Sequence, residues 1–158
     1  MGKLTGTVHG DAANDLVAFY DDKVTELAES GQYFMAAVAL GMALETVLLT
    51  YLLVEFGDDN GGELEIPDDV NLSDLIEAAN HFDVLNAPID GPSYVREDDE
   101  PPKHIAKDVV DKVRQFRNLI HPGRALRKGY NPRTFTQEQF AELKEMYSSI
   151  LHSLMYNL

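Results

Sequence analysis

Gln32-Tyr33-Phe34-Met35-Ala36-Ala37-Val38-Ala39-Leu40-Gly41-Met42-Ala43-Leu44-Glu45-Thr46-Val47-Leu48-Leu49-Thr50-Tyr51-Leu52-Leu53-Val54-Glu55-Phe56 is apolar on every side when wound as a helix. A surface helix shows one apolar stripe, whereas one that is apolar all round belongs inside a bundle or at a subunit interface. The small residues Ala37 and Gly41, like Ala39 and Ala43, fall four apart, so a second helix can approach closely. A membrane span is the rival reading. Glu45 in the middle, Glu55 near the end and the lack of closely flanking Lys or Arg argue against it. The stretch is therefore read as a core helix, with no membrane partner.

Working outward, Ala12, Leu16, Phe19, Tyr20, Val24 and Leu27 recur at helical spacing between Asp11 and Ser30, and Ser30-Gly31 marks the stop. Residues 1–10 read as a flexible lead, and residues 11–158 as a single domain. Gly57 to Val70 is acidic and Gly-rich. It lacks the alternating oxygen ligands of a calcium loop and reads as a solvated turn. Asn71 or Ser73 can cap a helix from Leu72 to about Leu85. Asn86 to Pro102 is polar and Pro-rich, which predicts a loop.

The spacing of Ile105, Val109, Val113, Phe116 and Ile120 predicts a helix from about Pro102 to His121, stopped by Pro122-Gly123. A last helix starts at Thr136, whose pattern with Gln139 suggests a reciprocal cap. Its stripe is Phe140, Leu143, Tyr147, Ile150 and Leu154. No alternating pattern of useful length predicts strands. The expected fold is all-α, a bundle of about five helices.

The formal net charge of −14 favours solubility and disfavours general contact with nucleic acid. The distribution is uneven. Lys103 to Arg133 holds nine basic and two acidic residues, so it carries +7 and the remainder −21. Cysteine is absent, which excludes a disulfide framework and thiolate metal sites and fits a cytoplasmic protein. His9, His81, His104 and His152 lack ligand spacing, and no nucleotide fingerprint or nucleophile elbow occurs; neither metal nor cofactor is expected.

Within the basic segment, Arg114, Arg117 and His121 fall on one strip of the expected helix, about 100° round from its apolar face. Histidine exchanges protons near neutral pH, and arginine holds phosphate bidentately. Asn118 stands beside them, and Arg124, Arg127 and Lys128 follow in a basic loop. His121 sits at the helix C-terminus, where the dipole favours its charged form. Attack of RNA by its own 2′-hydroxyl needs a proton acceptor and a cation at the phosphate, and no metal. The bland alternative is an ion pair between Glu45, isolated in its apolar helix, and Arg114 or Arg117. Such a pair would also position the site.

The segment Arg114-Gln115-Phe116-Arg117-Asn118-Leu119-Ile120-His121-Pro122 resembles the signature of HEPN domains (higher eukaryotes and prokaryotes nucleotide-binding). That signature is an Arg, often with a polar follower, four to six residues, then His. Arg117 has the polar follower Asn118, and Arg114 has the spacing to His121, so either can be the motif arginine. The second helix and the Leu72-Ser73-Asp74-Leu75-Ile76 helix add to a likeness over roughly Asp11 to Leu158.

The resemblance implies an all-α homodimer with a composite site and, in its active form, metal-independent RNA cleavage. Histidine would transfer protons and arginine would steady the phosphate. Toxin–antitoxin, defence and RNA-processing systems are the implied settings. Two other readings stand beside it. One is a non-catalytic dimeric module binding a nucleotide, RNA or a protein. The other is an acidic, antitoxin-like partner of a basic protein.

Overall fold

A computed structural model of the protein describes residues 2–56, 65–81, 88–90, 103–105, 123, 126–127, 131 and 133–156. Four helices dominate the described residues: α1 (Gly6–Glu29), α2 (Tyr33–Thr50), α3 (Leu72–His81) and α4 (Gln137–Tyr156). A π-helical turn, Tyr51–Phe56, extends α2. Two short antiparallel ladders complete the described elements. β1 (Lys3–Leu4) pairs with β2 (Ile66–Pro67), and β3 (Pro88–Asp90) pairs with β4 (Lys103–Ile105). The protein is thus mainly helical, as its periodicity predicts.

α2 is the core helix. Ala36, Ala43 and Leu44 are fully enclosed, and Leu40 and Leu48 nearly so. Two hydroxyls on this apolar helix are satisfied internally: Thr46 Oγ1 donates to the Met42 carbonyl at 2.8 Å and Thr50 Oγ1 to the Thr46 carbonyl at 2.7 Å. The stretch Tyr33–Val54 is long and apolar enough to cross a membrane, but 61% of its apolar window is buried within the protein, which is how a core helix passes the same test.

α1 runs back along α2 after a three-residue link. Gly31 has φ 78°, a conformation glycine adopts without strain. The amide of Gln32 donates to the Leu27 carbonyl at 2.9 Å and that of Gly31 to the Ala28 carbonyl at 3.0 Å. These two bonds form a Schellman cap, the stop that Ser30-Gly31 signals. The inward side of α1 differs from the predicted stripe. Ala13 and Val24 are buried and Tyr20 and Leu27 pack on the core, but Leu16 is 43% and Phe19 51% exposed. At about 100° per residue, a stripe from Ala12 to Leu27 is wider than the face one neighbouring helix covers.

The N-terminus also departs from expectation. The segment read as a lead, residues 1–10, holds β1 and the opening of α1, which starts ahead of Asp11. Outside the ladder, the Asp68 amide donates to the Gly2 carbonyl at 3.1 Å, and Lys3 Nζ lies 2.8 Å from Glu65 Oε2. Gly6 stands against the π-helical turn. A Cβ there would collide with the carbonyl oxygen of Leu53, whereas at Gly10 it would meet only the Val54 Cγ2 methyl, at 3.0 Å.

α3 and α4 carry reciprocal caps. For α3, the Asp74 amide donates to Asn71 Oδ1 at 3.0 Å and the Asn71 amide to Asp74 Oδ2 at 3.4 Å, so Asn71 rather than Ser73 is the cap. For α4, the Gln139 amide donates to Thr136 Oγ1 at 3.2 Å and the Thr136 amide to Gln139 Oε1 at 2.9 Å. The predicted stripe of α4 is buried throughout. Phe34 and Phe135 meet edge to face, with centroids 5.7 Å apart, which ties the start of α2 to the approach to α4.

Tyr147 joins α4 to α1. Its buried hydroxyl donates to Asp21 Oδ1 at 3.1 Å. Burial, reinforced by the Asp21 charge and the hydrogen bond, pushes the phenol well above its ordinary value. The folded protein therefore loses stability as pH rises above about 10, where the unfolded chain releases this proton and the folded one still holds it. Tyr147→Phe is expected to cost about 1 kcal/mol, because exposed Asp21 can turn to water. Urea denaturation of both proteins at pH 7 measures the loss. Equal stabilities would mean that the bond is not formed.

Two further expectations change. Pro88–Asp90, placed in a loop by composition, is strand β3, and Lys103–Ile105, placed in the first turn of a helix, is strand β4. Both ladders are too short for sequence alternation to reveal.

Candidate functional site

Arg114, Arg117, Asn118, His121, Arg124 and Lys128 all lie outside the described residues. Residues 57–64, part of the segment read as a solvated turn, do so too. Two members of the expected site are described. Arg127 is exposed. Glu45 lies on α2, partly buried, with Oε2 out of contact with solvent. The arginines considered as its partners fall outside the described residues, so that pairing stays an expectation.

Glu45 belongs to a strip of α2 that the main core leaves aside. Met35, Val38, Met42 and Glu45 are spaced three, four and three residues apart, which aligns them on one side of the helix. Met35 is 49% exposed, and the other three are partly exposed. This is the a/d spacing at which one helix packs against another. Glu45 closes the strip, and a carboxylate beside such apolar neighbours is costly to bury without a cation or hydrogen-bond donors.

A separate cleft of about 340 Å³ opens between the π-helical turn, β2 and α3. Leu52, Ile66, Leu75 and Ala78 make its apolar surface, and Glu65, Asp69 and Asp74 stand around it. Two of these carboxylates have other work: Glu65 pairs with Lys3, and Asp74 caps α3. Among the described residues the lining holds no nucleophile and no cation, and its negative rim disfavours a phosphate ligand. Sequence reading passed over this place because Gly57 to Val70 looked like solvated loop. The isolated apolar residues Ile66 and Val70 were the available signal, and Ile66 is buried.

Among the described residues no group of three or more His, Asp or Glu side chains could hold a metal ion. Comparison with protein families, curated proteins and solved structures returns no match.

Proposed function

We propose that the protein is a cytoplasmic, homodimeric HEPN-like domain that cleaves RNA without a metal, in a toxin–antitoxin, defence or RNA-processing setting. The carrying observation is the stretch from Arg114 to Pro122: two arginines, an asparagine and a histidine before a helix-stopping proline, in a chain otherwise strongly acidic. In this reading His121 takes the proton from the 2′-hydroxyl of RNA, whose oxygen bonds to the adjacent phosphorus and displaces the 5′-oxygen of the next nucleotide, which takes a proton from water. Arg114 or Arg117 stabilises charge on the phosphate. Asn118 orients a neighbour, and Arg124, Arg127 and Lys128 draw the RNA backbone towards the site. The mainly helical fold is compatible with this reading.

The α2 strip supports the dimer. Met35, Val38 and Met42 offer apolar surface at helix-pairing spacing. Light scattering at micromolar concentration is expected to give twice the 17.6 kDa chain mass, and Met42→Glu to give the chain mass. A monomeric parent protein would overturn the dimer.

Incubation of the protein with a panel of RNAs in EDTA tests the activity. Cleavage is expected. Intact RNA throughout would instead favour a non-catalytic dimeric module. The −21 outside Lys103 to Arg133 already leans towards that second reading, because long RNA is repelled beyond one narrow basic track.

A further inference from the structure

α1 turns an apolar strip outward. Val8 is 73% exposed, Leu16 43% and Phe19 51%, with exposed Ala12 between them. At about 100° per residue these four fall within roughly a quarter of the helix circumference and run for about three turns. Asp11, Asp15, Asp22 and Glu29, all exposed, line one edge of the strip. Lys23 is the only Lys or Arg of α1. Its Nζ lies 5.6 Å from the centroid of the Phe19 ring, so that ring face already receives a cation.

From this face we infer that α1 docks a cationic amphipathic helix of a partner protein. Leucine-like side chains of that helix would sit on Val8, Leu16 and Phe19. Its lysines or arginines would reach the Asp11–Asp15–Asp22 edge. Three turns of straight apolar surface match the helix-in-groove mode, in which anchors recur at helical spacing. The charge pattern selects this occupant over a second copy of the chain. Another α1 would bring its own row of carboxylates against Asp11, Asp15 and Asp22, with a single Lys23 to offset them. The face uses none of the residues assigned to RNA, so the inference is independent of that reading.

The test uses a fluorescent peptide of leucine and lysine at helical spacing, roughly 18 residues long, against its leucine–glutamate counterpart. Anisotropy is read at about 0.1 M salt, where loose surface attraction is largely screened. The lysine peptide is expected to bind and the glutamate peptide not to. Phe19→Ala should weaken binding about tenfold, as loss of an apolar anchor does. Asp11→Asn with Asp15→Asn and Asp22→Asn should weaken it similarly and flatten its salt dependence. Neutralising Glu77, Glu138 and Glu142, which lie on α3 and α4, should leave it unchanged.

No binding at about 100 µM peptide would overturn the inference. So would equal losses from the two charge-neutralised sets with no effect of Phe19→Ala, which would mean unspecific attraction to an acidic protein. Self-association of the peptide-free protein that Phe19→Ala abolishes would also overturn it, by assigning the face to a second copy.

Discussion

His121→Ala is expected to lower RNA cleavage in EDTA by about 10²- to 10⁴-fold, the range that a positioned general base or acid contributes. An alanine cannot accept the 2′-hydroxyl proton, and water at that place is a weaker and unpositioned base. The strip that carries His121 lies about 100° from the expected apolar face, so the substitution should leave helicity and thermal midpoint nearly unchanged. Arg114→Ala and Arg117→Ala divide the remaining question. The arginine that steadies the phosphate should cost about 10²- to 10³-fold when removed, and the other much less. Unchanged cleavage by His121→Ala would remove the histidine from the mechanism. A large fall in thermal midpoint would make it a structural residue.

Gly6→Ala should destabilise the protein, against the usual sign for a helix. In an open helical position alanine is more stable than glycine by about 0.5–1 kcal/mol. Here the added methyl would meet the backbone carbonyl of Leu53, and a carbonyl within a packed helical turn cannot swing aside as a side chain can. Overpacking of this kind costs about 1–3 kcal/mol. The expected net loss is about 2 kcal/mol, or roughly 4–8 °C in thermal midpoint for a chain of this size. Gly10→Ala is the internal comparison. It faces only the Val54 methyl and should be close to neutral. If Gly6→Ala is as stable as the parent, α1 does not approach the π-helical turn closely.

These expectations differ in how far they could be read from sequence. The Thr136–Gln139 cap and the stripe Phe140 to Leu154 were legible because a cap and a 3.6-residue period are local signals. The stop at Gly31 was legible for the same reason. The outward turn of Leu16 and Phe19 was not, because periodicity marks an apolar face without saying how much of it a neighbour covers. Nor was the pairing of Lys3–Leu4 with Ile66–Pro67, a two-residue ladder between distant segments. The contact of Gly6 with Leu53 depends on a π-helical turn, for which the sequence carries no pattern. The site stands differently again. His121 and its arginines rest on residue type and spacing, whereas Glu45 was singled out by physical cost, as a charge in an apolar helix.

The two connections that frame α1 have unlike consequences for the order of assembly. At one end, Ser30, Gly31 and Gln32 alone join α1 to α2, so the pair can zip together almost as soon as both helices form. At the other end, β1 must find β2 across a wide sequence gap, with Lys3 and its partner Glu65 62 residues apart. Closing the longer loop costs about 2–3 kcal/mol more chain entropy than closing the short one. Two residues of ladder return little against that cost. The helical hairpin is therefore the early unit of the folding route, and the N-terminal strand is its late and most readily released fastening.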